Sequence, residues 1–172
     1  MARRDYFACV LALIISVSAS LVIAEETPII TIPDRMLFAE GTRVPAEVRS
    51  ECDLENKLAG YVKAYLEKAH YKVNATHEDL AQLDGKILDV QIIGVHAAGP
   101  GTGSWETGGG SVVTIKAELK EGGNTIDTFS YYRKSVSGFG TCGPLVNCVK
   151  TLGKDITSWL VKTNPPPSTT SE

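Results

Sequence analysis

The first 24 residues, MARRDYFACVLALIISVSASLVIA, constrain this chain most, because they determine the compartment in which the rest of it folds. Arg3 and Arg4 form a short basic start, and the run from Tyr6 to Ala24 is apolar except for three serines. Val22 and Ala24 suit signal peptidase, so the sequence predicts a signal peptide that is cleaved after Ala24. An uncleaved membrane anchor is the alternative, since about 18 apolar residues can just span a bilayer.

Cleavage would leave one domain and a tail. The 148 remaining residues suit a single domain with a substantial core, which we place at residues 25–162. Residues 163–172, TNPPPSTTSE, have the composition of a disordered tail. Cys9 lies near the start of the apolar run and cannot be the acylated first residue of a mature lipoprotein, so no stable membrane anchor is expected after cleavage.

The charge of the mature chain excludes one class of partner. Without residues 1–24 the chain carries 15 basic and 19 acidic side chains, a net charge of −4. Proteins that bind nucleic acid concentrate positive charge against the phosphate backbone. The sequence therefore predicts no nucleic-acid partner.

Three cysteines follow the signal peptide in a compartment where thiols oxidise, so we expect one disulfide and one free thiol. Cys148 lies four residues before Leu152 and eight before Ile156 on an apolar helical face, where a thiol packs as a small hydrophobe. This spacing favours a bond between Cys52 and Cys142. A bond between Cys142 and Cys148 is the alternative.

Two amphipathic helices are predicted, one near each end of the mature chain. Residues 52–69 carry an apolar stripe at spacings of three and four, with Ser50 or Asp53 available as the N-cap. Residues 144–162 carry a second stripe, within which Gly153 is a local weakness. The stripes consist of Leu54, Leu58, Tyr61, Val62, Tyr65 and Leu66 in the first helix, and Leu145, Val149, Leu152, Ile156 and Trp159 or Leu160 in the second.

The remaining apolar segments have the period of strands. PIITIP predicts an edge strand, residues 71–74 a short strand, ILDVQIIGV a strand with Gly94 as a bulge or kink, and SVVTIKAEL with TIDTFSYYRKSV a hairpin. The predicted order is β-α-β-β-β-β-α. This order favours an α+β two-layer sandwich, in which a largely antiparallel sheet of four or five strands has two helices on one face.

A glycine-rich loop, AAGPGTGSWETGGG, joins two of these strands, with six glycines in 14 residues. It lacks the spacing and the following helix of a phosphate-binding loop, so no nucleotide site is predicted. Trp105 is unusual in such a loop and either folds onto the core or presents a contact surface. Trp105 with Gly108, Gly109 and Gly110 is the predicted contact surface.

No motif in the chain specifies a reaction. A hydrolase would need a histidine beside a nucleophile, such as His96 beside Ser111, Ser130 or Cys52, and no G-x-S-x-G sequence marks one. Enzymatic activity is therefore the less favoured interpretation.

Metal and cofactor sites are also not predicted. The three histidines, His70, His77 and His96, are scattered, and no CxxC pair is present. The pair Tyr131 and Tyr132 should place one ring in the core and one at the surface, because adjacent strand residues face opposite sides.

Two segments carry a resemblance to known proteins: ECDLENKLAGYVKAYLE, and SYYRKSVSGFGTCGPLVNCVKTLGKDITSWL. With the glycine loop, they resemble a family of small exported proteobacterial proteins of unassigned function. The element order also resembles YajG-like lipoproteins, transport auxiliary lipoproteins and the N-terminal domain of TolB. These resemblances imply a periplasmic or secreted, non-enzymatic binding or accessory role, with an envelope protein or a small ligand as the partner. A small secreted hydrolase is the alternative.

Overall fold

The computed structural model describes residues 28–98 and 110–166. The predicted signal peptide and residues 167–172 lie outside these ranges. Within them, five strands and three α-helices follow in the order β1 Ile29–Pro33, α1 Ala46–Glu51, α2 Leu54–Lys68, β2 Lys72–Thr76, β3 Lys86–His96, β4 Ser111–Glu121, β5 Asn124–Ser135 and α3 Cys142–Thr163.

The five strands form one sheet in the spatial order β2-β1-β3-β4-β5. The long pairings of β4 with β3 and with β5 are antiparallel, whereas β1 lies between β2 and β3 and runs parallel to both. The prediction that the PIITIP segment forms an edge strand is therefore wrong, because β2 pairs with its outer side. The predicted α+β class is confirmed, as is the order of the strands and of the two long helices. The glycine loop joins β3 to β4, as the sequence predicts.

Helices α2 and α3 pack against each other and cover one face of the sheet, which gives the two predicted layers. The apolar stripes of both helices and the inward-facing side chains of β1, β3 and β4 meet in a single core, because each element has one apolar face to bury. Its fully buried members include Ile30, Ile32, Leu58, Val62, Leu66, Leu88, Val90, Ile92, Val113, Ile115, Leu119, Leu145, Val149, Leu152, Ile156 and Leu160.

The segment between β1 and α2 contains the short helix α1, which the sequence analysis does not predict. A buried carboxylate, Glu55 of α2, holds the chain that precedes α1: its side chain binds the Arg35 guanidinium and accepts a hydrogen bond from the backbone N–H of Phe38. Of the two residues that the sequence offers as the N-cap of α2, Asp53 holds that position, but no side chain makes a cap hydrogen bond. Asp53 has φ 49°, and the Ser50 hydroxyl donates to the carbonyl of Ala46.

The predicted bulge at Gly94 is present, since the register between β3 and β4 shifts between Ile92 and Gly94. One disulfide joins Cys52 to Cys142, the pairing that the helical pattern favours, and Cys148 is a free, buried cysteine. The bond links the residue that follows α1 to the first residue of α3. Within the described residues, no helix combines the length and the apolar character needed to cross a membrane.

Candidate functional site

The sheet face opposite the helices is polar, and a groove of about 870 Å³ lies beside it. The groove runs between the chain that follows β1, the chain that follows β2, and the middle of β3. Its lining includes Asp34, His77, Asp79, Asp89 and Lys120. Apolar side chains, among them Leu37, Leu80 and Ile87, line it as well, so the groove combines charged and apolar surface.

A histidine and a carboxylate meet at the rim of this groove. The Nδ1 atom of His77 lies 2.6 Å from Oδ2 of Asp34, and the His77 side chain is 90% exposed. A carboxylate in this position orients an imidazole, as in many general bases. Among the described residues, however, no histidine makes a hydrogen bond to a Ser, Thr or Cys side chain that it would activate.

Asp89 and Lys120, which line the groove, belong to an ion-pair network on β3 and β4. Lys120 of β4 lies 2.8 Å from Asp89 of β3 and 3.2 Å from Glu118, which also pairs with Lys116 at 2.6 Å. Hydrogen bonds from Lys116 and then Lys120 lower the pKa of Glu118, and the hydrogen bond to Asp89 raises the pKa of Lys120. These four side chains therefore neutralise one another and leave little net charge for binding an ion.

The predicted nucleophiles are not brought to His96. Cys52 is in the disulfide, and the Ser111 hydroxyl is buried and accepts a hydrogen bond from the backbone N–H of Ala98. Ser130 pairs with Lys116 on β4, whereas His96 pairs with Val112, so the two stand at different positions along that strand. The described residues also contain no group of three or more His, Cys, Asp or Glu side chains arranged to hold a metal ion.

Of the predicted contact surface, Trp105, Gly108 and Gly109 lie outside the described residues. Gly110 is described, and it is buried against the end of β5. A Cβ atom at position 110 would lie 2.7 Å from Cε of Lys134 and 3.1 Å from Cγ1 of Val136. Gly110 therefore marks where the base of the glycine loop contacts β5, and its own surface is covered.

An exposed apolar turn lies next to this base, and the sequence interpretation missed it. Phe139 is wholly exposed and Val136 is 69% exposed. Phe139 stands between Gly138 and Gly140, which have φ values of 127° and 63°. We call residues 136–140 the Phe139 turn. The flanking glycines are the signal that sequence alone offered, since they permit a tight turn at this point.

The Phe139 turn is tied to the start of α3. The backbone N–H of Gly143 donates to the carbonyl of Phe139 at 3.2 Å, and the disulfide fixes the neighbouring Cys142. A Cβ atom at Gly138 would lie 2.5 Å from the carbonyl carbon of Gly143, so this contact requires glycine. An aromatic ring is thus held in solvent by a closely packed turn.

The expectation that one ring of the pair on β5 lies in the core is wrong. Tyr131 is 43% exposed and Tyr132 is 63% exposed. The two rings stack on each other with centroids 6.1 Å apart, and because β5 is the last strand of the sheet, the helices cover its inner face only in part. Phe129 and Trp159 fill the covered part, with ring centroids 5.4 Å apart.

No protein-family model matches this chain, and no curated protein matches it. Several solved structures are similar to it in fold. They include the PelC dodecamer from Paraburkholderia phytofirmans, at 13% identity over 73% of this chain and 86% of that chain with a TM-score of 0.48.

Two lipoproteins are also similar. A minor lipoprotein from Acinetobacter baumannii has 15% identity over 83% of this chain and 96% of its own, with a TM-score of 0.43. Lipoprotein GNA1162 from Neisseria meningitidis has 12% identity over 78% and 99%, with a TM-score of 0.44. Similarity at this sequence identity and TM-score concerns the fold alone.

Proposed function

We propose that this chain is an exported, non-enzymatic binding or accessory protein of the bacterial envelope. Its mature form would begin at Glu25, fold through residue 162 and end in a polar tail. Two features support export: the signal-peptide pattern of the first 24 residues, and the Cys52–Cys142 disulfide, which belongs to an oxidising compartment.

The Phe139 turn is the observation that carries the binding role. Phe139 is wholly exposed on this turn, and aromatic side chains are enriched where proteins meet partners. Because the base of the glycine loop packs against Val136, the predicted contact surface around Trp105 and the Phe139 turn would act as one surface. Its partner would be an envelope protein or a small ligand with an apolar group.

Site-specific photocrosslinking tests this surface. A photoreactive phenylalanine analogue is placed at Phe139 and, in a matched control, at Leu37, which is 55% exposed and lines the groove on the opposite sheet face. In intact bacteria, we expect one discrete adduct from position 139 and none from position 37, and Trp105→Ala should weaken the adduct. Equal labelling from both positions would reject the surface.

Export is tested separately by intact and peptide mass spectrometry of protein from the periplasm, alkylated without reductant. The expected product starts at Glu25 and has Cys52 joined to Cys142 and Cys148 unmodified in the native state. An uncut N-terminus with three free thiols would overturn both the localisation and the disulfide.

The hydrolase alternative gains no support from the described histidines, whose hydrogen bonds include none to a hydroxyl or a thiol.

A further inference from the structure

Strand β5 ends the sheet on one side and is twelve residues long. Its inner neighbour is β4, and within the described residues no other strand or loop forms a main chain–main chain hydrogen bond with it. The strand at the opposite edge, β2, has only five residues. Long unpaired edge strands are templates for pairing with another strand, and proteins either block them or use them.

The regular part of β5 begins after a bulge. The register with β4 shifts between Leu119 and Lys120, which leaves Ile126 without a partner. From Asp127 to Ser135 the pairing is continuous. A strand added to the outer edge would therefore find its regular surface on this stretch and not on the bulged end.

The sequence of this stretch, DTFSYYR, is complementary to itself about Ser130. If two copies paired antiparallel with their Ser130 residues opposite each other, Asp127 of one copy would stand opposite Arg133 of the other. Phe129 would then face Tyr131 of the second copy, and Thr128 would face Tyr132. Each of these cross-strand pairs joins opposite charges, two aromatic rings, or a ring and a β-branched side chain, which are favourable combinations.

The Asp127 carboxylate of one copy can still pair with the Arg133 guanidinium of the other copy. The Asp127 carboxylate accepts hydrogen bonds from Nε1 of Trp159, the Thr163 hydroxyl and the backbone N–H of Thr128, which are all neutral donors. Its pKa is lowered, first by the Thr128 N–H. No cation pairs with it among the described residues.

The Arg133 guanidinium of the second copy, which would pair with Asp127, already has a fixed orientation. Arg133 uses Nε and Nη2 to bind both oxygens of Asp155 on α3, at 2.6 and 2.7 Å, and its guanidinium lies 5.0 Å from the centre of the Tyr131 ring, so its plane is fixed. Its remaining donors are available to a carboxylate from a second copy, because a guanidinium carries five N–H groups.

The aromatic side chains favour the same register. Phe129 stacks on Tyr131 with centroids 5.7 Å apart and on Trp159 at 5.4 Å. Tyr131 also stacks on Tyr132 at 6.1 Å, yet it remains 43% exposed. If the two copies paired about Ser130, the stacked aromatic rings of one copy would continue into those of the other. A shift by two residues would instead place Asp127 opposite Tyr131, or Phe129 opposite Arg133, and would lose the charge pair.

We propose that β5 pairs antiparallel with β5 of a second copy of this chain about a twofold axis at Ser130, which joins the two sheets into one. This homodimer goes beyond the proposed envelope role and does not depend on it, since the Phe139 turn lies after the paired stretch. The partner is a second copy because the charge and ring pattern of the strand complements itself.

Two cysteine variants of the mature protein test the register. Directly opposite residues have Cβ atoms about 4.5–5.5 Å apart, so Ser130→Cys should form an intermolecular disulfide under mild oxidation. Thr128→Cys is the matched control, on the same face of the same strand. Its two copies would be four positions apart, roughly 13 Å along the strand, and should not join.

A charge-swap pair tests the association itself by light scattering after size exclusion. Ser130→Lys and Ser130→Glu should each be monomeric, because like charges would be opposite each other, and their mixture should restore the dimer. Circular dichroism checks that each variant is folded. A wild-type protein that is monomeric throughout, a mixture that stays monomeric, or equal crosslinking of Thr128→Cys and Ser130→Cys would overturn the proposal.

Discussion

Gly153 on α3 lies so close to Tyr61 on α2 that a Cβ atom at position 153 would stand 3.0 Å from the Cβ of Tyr61. The same added atom would lie 3.3 Å from the Tyr65 ring and 3.4 Å from the Tyr61 backbone. Gly153 is therefore a point of close approach between the two helices of the covering layer. What the sequence presents as a local weakness of α3 is required for helix packing.

Gly153→Ala should destabilise the protein by about 1 kcal/mol. Alanine gains about 1 kcal/mol of helix propensity over glycine, but overpacking against a helix backbone costs about 1–3 kcal/mol. Denaturant unfolding measures the difference. Gly60→Ala is the matched control, since position 60 lies inside α2 with open space around it, and it should stabilise by about 0.5–1 kcal/mol. Equal stabilisation by both substitutions would contradict the close approach.

Loss of the Cys52–Cys142 disulfide should lower the free energy of unfolding by about 2–5 kcal/mol. The bond closes a loop with a sequence separation of 90 residues and constrains the unfolded chain. The double variant Cys52→Ser with Cys142→Ser is compared with the wild type by thermal unfolding. Reduction of the wild type should produce a similar loss, and reduction of the double variant should change nothing. A wild type insensitive to reductant would show that this bond does not form.

The Cys148 thiol should be inert in the folded protein. It is buried, its pKa is raised by burial, and its Sγ atom contacts the carbonyl of Ser111 at 3.5 Å. Since the thiolate is the reactive form, alkylation should be slow until the chain unfolds and should follow the unfolding curve in denaturant. Fast stoichiometric labelling of native protein at Cys148 would show that the reagent reaches this face of α3 without unfolding.

Glu118 should make the protein more stable at neutral than at strongly acidic pH. Its pKa in the folded state is below its ordinary value, so its contribution is complete above the unfolded-state pKa and is lost as the pH falls through the folded-state pKa. Glu118→Gln should cost about 0.5–1 kcal/mol at neutral pH and nothing at strongly acidic pH.

The control for this pH effect lies on the same strand. Glu121 is exposed at the end of β4 and makes no ion pair with the described residues, so Glu121→Gln should leave the pH dependence unchanged. Urea unfolding across the acidic range distinguishes the two variants. If both shift the profile by the same amount, then the ion-pair network does not act through Glu118.

Much of the fold could be predicted because period and composition are local properties of a sequence. The alternation of Leu88, Val90 and Ile92 identifies β3, and the stripes at spacings of three and four identify α2 and α3 with nearly correct bounds. Helix α1 was missed because it has six residues and only Val48 is buried, which is too little to produce a periodic signal.

The candidate site depends more on tertiary structure. Composition marks the glycine loop as a feature, but only the fold places its base against Val136 and beside Phe139. Similarly, nothing in the sequence near His77 indicates that Asp34 is its neighbour, because the contact joins the ends of two strands far apart in the chain.

The sequence alone therefore determined which segments form strands and helices, which side chains are apolar on one face, and which cysteine packs as a hydrophobe. Tertiary structure decided that β1 lies parallel between β2 and β3, and that β5 is left at the edge with Tyr131 and Tyr132 in solvent. The physical reason is that a side chain's preference for burial is encoded locally, whereas the strand that supplies its neighbour is selected by the packing of the whole sheet against the helices.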